Sequence, residues 1–393
     1  MPHPRFTRLL LFFTSVLWVL SISCDRAPQE PGYFHETGPY AIYQRALDLQ
    51  NDINVMSVAL EPGFEDLETL AYFRLGRGAN ISSVYLTNGE AGESDIKGEL
   101  PDNRAVTRRE EARDAIAYLD GEAYFLNFSD IRAYHDLAGI ENAWPRDDVK
   151  RKISELILKI QPDVVLVARD WCASGESLKT RLLREITFGA VKLAAAGYVD
   201  SQQDSTNGHT AWEVDRVVID NGKPNGMTAP VDNVHPRWGK TYHKIAVEAA
   251  NAYKSIAIQR EKWMASAMPS YSYVFSEQPK KDQAIDAGLP IPASSKLRRI
   301  EQGIQQLTAD AISGKKSSVL KEIVTMMDSV TLRMPKRFRL NARENRSLLA
   351  WKKGLDDLRN ALLGIKVHFT ISDTSLTGVQ VTYLNISNID GVT

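Results

Sequence analysis

The chain is poor in cysteine, in excess charge and in long apolar runs, and each shortage removes a class of protein. Cys24 and Cys172 are its only cysteines, which excludes a disulfide-stapled scaffold and a zinc ribbon, whose four ligands sit at close spacing. Lys and Arg number 48 against 49 for Asp and Glu, a net charge of −1, so bulk electrostatics give no hold on nucleic acid. No internal repeat or low-complexity tract is present. What remains is ordinary: 43% apolar and 25% charged residues exclude a disordered or collagen-like chain. A length of 393 residues predicts roughly two to three domains.

The most apolar stretch is N-terminal. Arg5 and Arg8 precede residues 9–23 (LLLFFTSVLWVLSIS), a run shorter than the roughly 18–20 residues that span a bilayer. A basic start, a short apolar middle and small residues before a cut site describe a secretory signal peptide over residues 1–23. Ser21 and Ser23 just ahead of Cys24 resemble a bacterial lipobox. That resemblance implies acylation of Cys24 and a cell-envelope protein held on a membrane by its lipid. An ordinary cleaved signal and an uncleaved anchor are the competing readings. Without residues 1–23 the balance becomes 46 against 49, or −3, and Cys172 is left as a lone thiol. Residues 25–33 (DRAPQEPGY) hold two prolines and a glycine and read as a tether, within a lead-in of 24–49.

From residue 50 the pattern changes. Short runs at 53–59, 81–86, 123–128, 164–168 and 214–219 read as strands, those at 53–59 and 164–168 as buried ones. Between them, 66–75, 108–119, 148–160 and 178–196 carry apolar residues at helical spacing. This alternation predicts a Rossmann-like three-layer α/β/α fold with a mostly parallel sheet over 50–262. Chemistry in such folds gathers at the C-terminal ends of the strands, here after Ala59, Leu86, Phe128 and Ala168. Residues 263–364 read as a helical extension. Residues 365–393 read as a short β segment, either complete or the start of a larger module, since a lone two-stranded hairpin is marginal.

Five segments fall in order on these elements: VALEPGFEDLETL at 58–70, LTNGEAG at 86–92, RREEA at 108–112, QPDVV at 161–165 and KTYHKIAVEAANAYKS at 240–255. Together they resemble the PIG-L/LmbE family of zinc-dependent de-N-acetylases, which act on N-acetylglucosamine-type sugars. The family runs A-H-P-D-D-E, T-x-G-E-x-G, R-x-x-E-A, P-D-V-V and, in long members, H-K-S-Q. The resemblance implies that the family's zinc-binding His, its base Asp and its zinc-binding Asp fall on Glu61, Gly63 and Phe64. Pro62 and Glu65 match the pattern. A later His ligand falls on Tyr253, or in the loop DWCASGESLK at 170–179, which has no histidine. Zinc in such a hydrolase needs His and carboxylate ligands and lowers the pKa of bound water toward about 7. Phe64 cannot ligate and Gly63 cannot take a proton. By the family pattern there is then no catalytic base and no cofactor, with zinc returning only if the site has been rewired.

The candidate cleft residues are Glu61, Glu65, Glu90, Arg109, Asp170 and Glu176. The carboxylates Glu61, Glu65, Asp66, Glu90, Asp170 and Glu176 would suit Mg²⁺ or Ca²⁺ or acid–base work, or else form a solvated acidic rim. Arg109 and Glu111 either tie a helix start to its neighbours or face the ligand. Gly89 and Gly92 permit a tight turn, and Cys172 reads as a buried spectator. His209 sits in a polar loop, His235 reads as a loop residue and His243 as a surface residue on a helix from Thr241. Trp171, Trp212 and Trp238 are read either as stacking platforms for sugar or as lid packing. Three functions stand: a degenerate PIG-L-like lipoprotein binding a glycan or partner protein, an active de-N-acetylase with a rewired site, and a structural subunit of an envelope complex.

Overall fold

The computed structural model describes residues 38–131, 136–169, 177–197, 211–220, 227–256, 285–286, 289, 296–334 and 340–365, with backbone alone at 271–275, 366–373 and 380–388. The chain divides into two compact units, Met1–Gly32 and Tyr33–Thr393, and every described residue lies in the second. Cys24, Trp171, Cys172, His209 and the cleft candidates Asp170 and Glu176 lie outside the described residues.

The runs read as strands form β1 (Asn54–Ala59), β2 (Asn80–Thr87), β3 (Glu122–Phe128), β4 (Val164–Val167) and β5 (Arg216–Asp220). They make one parallel sheet in the order β3-β2-β1-β4-β5. The side chains of β4 and all but the first residue of β1 are buried, as expected of strands covered on both faces. A sixth strand, β6 (Tyr271–Phe275), adds antiparallel to β5. It extends the sheet into residues read as helical. The order reverses between β1 and β4, so the crevice of an open α/β sheet lies above those two strands.

Helix α1 is Gly38–Gln50, and α2 is Leu67–Ala71, continued by a wider turn at Tyr72–Gly76. Then follow α3 (Pro101–Ala117), α4 (Leu137–Ala143), α5 (Arg146–Ile160), α6 (Leu178–Ala195) and α7 (Tyr242–Ala250). On one face α2 packs on α7, and on the other α5 packs on α6. Helix α3 begins seven residues before the expected 108. Pro101 takes the first helical position, where its missing N–H costs nothing, and the first two turns bury no side chain, so they leave no apolar periodicity to read.

The remaining helices, α8 (Arg298–Ile312), α9 (Lys316–Arg333) and α10 (Ala342–Leu363), enclose a second core around Leu307, Ile323, Leu348 and Leu355. Ala41, Ile42, Ala46 and Leu49 of α1 belong to that core. The stretch expected as tether and lead-in thus supplies the fourth helix of the C-terminal bundle. Beyond α10, β7 (Ile365–Asp373) and β8 (Gln380–Asn388) pair antiparallel.

The two cores meet at the N-terminal ends of the strands. Asp163, 1% exposed, accepts from the Asn54 N–H at 2.8 Å. Its carboxylate also pairs with Arg343, and with Arg346 at 2.9 Å. Both guanidinium groups lie over Trp212, 5.2 and 4.8 Å from the ring centre, and the Trp212 indole N–H donates to the Pro162 carbonyl at 2.7 Å. Trp212 is therefore a buried interface residue at the edge opposite the crevice, neither platform nor lid. Trp238 stacks on His235 at 4.3 Å beside Tyr43 of α1, which also removes it from the crevice.

His235, read as a loop residue, is 1% exposed. Its Nδ1 accepts from the N–H groups of Arg237 and Trp238 at 3.2 and 3.3 Å. The ring proton therefore sits on Nε2, toward the Leu75 carbonyl. Burial lowers the imidazole pKa to about 4, with the Arg237 charge adding to the effect.

Two outcomes follow. Asp163→Ala strips two arginines of a buried partner and should cost about 3–5 kcal/mol in urea unfolding; a loss below about 1 kcal/mol would mean the clamp is an ordinary surface pair. His235 is neutral in the fold and binds a proton more readily when unfolded, so its stabilisation is complete above pH about 6.5 and lost as pH falls toward 4. The Tm gap between the chain and His235→Gln should shrink over that window; a constant gap would show that His235 does not titrate on unfolding.

Candidate functional site

The turn after β1 carries four of the positions singled out by sequence. Gly63 has a φ of +94°, a conformation that L side chains avoid. Its N–H donates to Glu65 Oε2 at 2.8 Å. The other oxygen of Glu65 accepts from the Tyr253 hydroxyl at 2.9 Å, and Glu65 is 1% exposed. Phe64 is also buried and belongs to the sheet core. Of the three positions matched to zinc ligands, Glu61 presents a carboxyl at the strand end, Phe64 a hydrocarbon ring, and Tyr253 a hydroxyl bonded to Glu65.

Glu61 is largely buried and meets Asp130, which follows β3, in a side-chain hydrogen bond. Burial is the main cause that raises the Glu61 pKa to about 8, and the Asp130 charge raises it further. Arg108 and Lys179 oppose the rise, Arg108 with Nη1 at 4.0 Å from Glu61 Oε2. A carboxyl that keeps its proton near neutrality can donate a hydrogen bond as well as accept one. Asp66 serves a local need: its Oδ1 accepts from the N–H groups of Glu68 and Thr69, both at 3.1 Å, and caps α2. Burial first, then the neighbouring Glu68 charge, raises its pKa to about 8. His243 of α7 places Nδ1 2.6 Å from Glu68 Oε1, so it is tied to α2 as well as half-exposed.

The rim is built by arginines of α3. Arg108, 1% exposed, donates to the carbonyls of Gly89 at 2.7 Å and Glu93 at 2.5 Å. Arg104, one turn earlier, donates to those of Glu90 at 3.0 Å, Gly92 and Glu99. A Cβ at Gly92 would run into the Arg108 guanidinium, which is why this position takes glycine. Glu90 receives the Asp130 N–H at 2.9 Å, and Asp130 receives the Ala91 N–H at 3.0 Å. Glu111 accepts from the N–H groups of Lys254 and Ser255, both at 2.8 Å, and from the Ser255 hydroxyl at 2.5 Å, fixing the segment that carries Tyr253.

Glu61, Glu65 and Glu90 therefore gather around the ends of β1, β2 and β3. The arginine that reaches Glu61 is Arg108, not Arg109, which stands about 100° further round the helix. Asp130, Lys179 and Arg108 were not among the candidates. Arg108 is the first residue of R-x-x-E-A and was legible there; Asp130 carried only its place after a strand. Among the described residues no three His, Cys, Asp or Glu side chains are grouped so as to hold a metal ion. Arg108→Lys should cost about 1–3 kcal/mol and speed amide exchange across residues 88–94, because an ammonium cannot span two carbonyls as a guanidinium does. Unchanged protection there would mean the loop is held by other contacts.

A search of curated proteins finds no match. Solved structures with a related chain course include N,N'-diacetylchitobiose deacetylase from Pyrococcus horikoshii, at 14% identity and TM-score 0.40, covering 58% of this chain and 85% of that one. The 4-carboxy-2-hydroxymuconate hydratase GalB from Pseudomonas putida stands at 16% identity and TM-score 0.39, covering 58% and 98%. The teicoplanin deacetylase Orf2 stands at 14% and 0.36, covering 57% and 100%. Likeness at these values carries no argument about activity. Residues 68–177 match the family model of PIG-L, GlcNAc-PI de-N-acetylase, a stretch that begins after the Glu61–Glu65 turn and ends at the cap of α6. Over this segment the chain thus carries a PIG-L deacetylase-like domain.

Proposed function

We propose that this chain is a cell-envelope lipoprotein, acylated at Cys24, whose PIG-L-like domain binds a glycan at the strand-end crevice without the family's zinc chemistry. The observation that carries the reading is the donor set at the turn after β1. Gly63 has no side chain to take a proton, the Phe64 ring is 3% exposed in the sheet core, and the Tyr253 hydroxyl is held by Glu65. Among the described family positions one carboxyl, Glu61, is left where a catalytic zinc needs three protein ligands. The residues at the family positions therefore do not fit the metal.

What the crevice retains suits hydroxyl-rich ligands. Glu61 and Asp130 share one proton-bearing contact, and Arg108 and Lys179 stand beside them, so donors and acceptors alternate over a short span. Sugar hydroxyls need that mixture, because each both donates and accepts. The Arg104 and Arg108 contacts hold the rim in place before a ligand arrives, which lowers the ordering cost of binding.

The decisive experiment uses the chain from residue 25 to 393, purified without chelator and then offered Zn²⁺. Less than about a tenth of an equivalent of zinc, with no acetate released from N-acetylated amino sugars, is expected. Binding of those sugars should be detectable by calorimetry and lost in Glu61→Ala. Near one equivalent of zinc, lost in Glu61→Ala, together with acetate release, would overturn the proposal in favour of a rewired deacetylase. Absence of sugar binding together with a stably co-purifying envelope protein would overturn it in favour of a structural subunit.

A further inference from the structure

Charge is distributed unevenly along this nearly neutral chain. Residues 296–365 hold 15 Lys and Arg against 7 Asp and Glu, a net +8; the rest of the chain holds 33 against 42, a net −9. The basic segment is the bundle of α8, α9 and α10, and α1 completes that bundle.

Helix α9 is its most exposed member. Of its eighteen residues only Val319, Ile323 and Val330 are buried. Lys321, Val324, Thr325, Asp328 and Leu332 recur at helical spacing on the opposite side, all exposed. Val324 is 58% exposed and Leu332 74%, large values for aliphatic side chains. Lys321 belongs to this stripe, and further exposed basic groups flank it at the helix ends, Lys315 among them in an ion pair with Asp310 at 2.8 Å. Lys315, Lys316 and Lys321 lie near its start and Arg333 at its end. The connection from α8 to α9 is short and the two helices pack together, so they run antiparallel. The exposed Arg298 and Arg299 at the start of α8 therefore lie near Arg333. An exposed face that sets two aliphatic side chains, Val324 and Leu332, among Lys and Arg, with Asp328 as its one acid, has groups suited to a bilayer interface.

We propose that the outward face of α9, with Arg298, Arg299, Lys315, Lys316, Lys321 and Arg333, docks on a bilayer of anionic lipid. This rests on the envelope reading above and adds a second membrane contact to the lipid anchor. Continuity of the chain supports the choice of a membrane over other polyanions. Gly38 opens α1 fourteen residues after Cys24, a span of about 50 Å at full extension, and α1 packs within this same bundle. An acyl chain on Cys24 would thus tether the basic module and not the acidic one.

The arrangement also sets an orientation. The bundle joins the α/β domain at the N-terminal ends of the strands, through Asp163, Arg343 and Arg346. Glu61 and Asp130 stand at the C-terminal ends. A bilayer under α9 attracts the basic bundle and repels the acidic remainder, leaving the crevice turned toward the aqueous side.

The test is flotation of the chain from residue 25 to 393, without acyl group, on vesicles of phosphatidylcholine with or without phosphatidylglycerol. All described contacts begin at Gly38, so this deletion removes none of them. Partitioning should be about tenfold or more stronger on the anionic vesicles and should weaken as salt rises. The triple variant Lys316→Gln/Lys321→Gln/Arg333→Gln should lose about tenfold or more, with its circular dichroism unchanged. The control Lys159→Gln/Lys192→Gln/Lys244→Gln, of equal charge change on the α/β domain, should bind as the parent does. Leu332→Asp should weaken binding without removing any basic group. Equal partitioning on both vesicles, no partitioning, equal loss in the control, or stronger binding to duplex DNA than to vesicles at the same salt would each overturn the proposal. Labelled fatty acid incorporation at Cys24 in cells reports separately on the anchor, so the failure of either idea can be told from failure of the other.

Discussion

Asp163 is the residue on which the two halves of this molecule depend. It stands just before β4, and its own carbonyl accepts the N–H groups of Asp215 and Arg216 that lead into β5. Its carboxylate accepts from the first residue of β1 and pairs with two arginines of α10. One residue therefore ties three parallel strands to the helical bundle, β5 through its carbonyl and β1 and α10 through its carboxylate. Such a buried anion is tolerable only because every oxygen has a cationic or N–H partner, since desolvating a carboxylate costs several kcal/mol. Trp212 closes the junction, its ring faced by both guanidinium groups and its N–H bonded to the Pro162 carbonyl.

The opposite edge of the sheet follows different rules. There Glu65 is spent on holding its own turn and Tyr253, while Glu61 shares a contact with Asp130 under opposing influence from Arg108 and Lys179. Arg108 links this pair to the rim, because the same guanidinium that lies 4.0 Å from Glu61 grips the Gly89 and Glu93 carbonyls. Chemistry and loop shape are thus coupled through one buried side chain. The PIG-L match runs over residues 68–177, covering that rim and the supporting helices.

Much of this was legible in local pattern. The five parallel strands were visible as short runs, most plainly β1 and β4, because strands covered on both faces need apolar residues throughout; β3, at the sheet edge, is only partly buried. Helix α5 declared itself through Val149, Ile153 and Ile157 on one face. Elements without an apolar signature were not visible. The first turns of α3 are solvated, and α1 buries its residues against a bundle more than two hundred residues away. Read in isolation after a Pro- and Gly-containing stretch, α1 looked like the continuation of a tether. Trp212 and Trp238 failed as crevice candidates because a loop position does not say at which edge of the sheet the loop lies.

By itself the sequence determined the alternation of strands and helices, the order of the five family segments, and the chemistry missing at Gly63 and Phe64, since a side chain's donor set is a property of its identity. Only the tertiary structure decided which groups surround Glu61, which arginine reaches it, and that α1 closes the C-terminal bundle. Those facts depend on contacts between residues far apart in the chain, such as Glu61 with Asp130 and Asp163 with Arg343. Sequence spacing carries no information about distances that only the packing of the whole sheet and bundle sets.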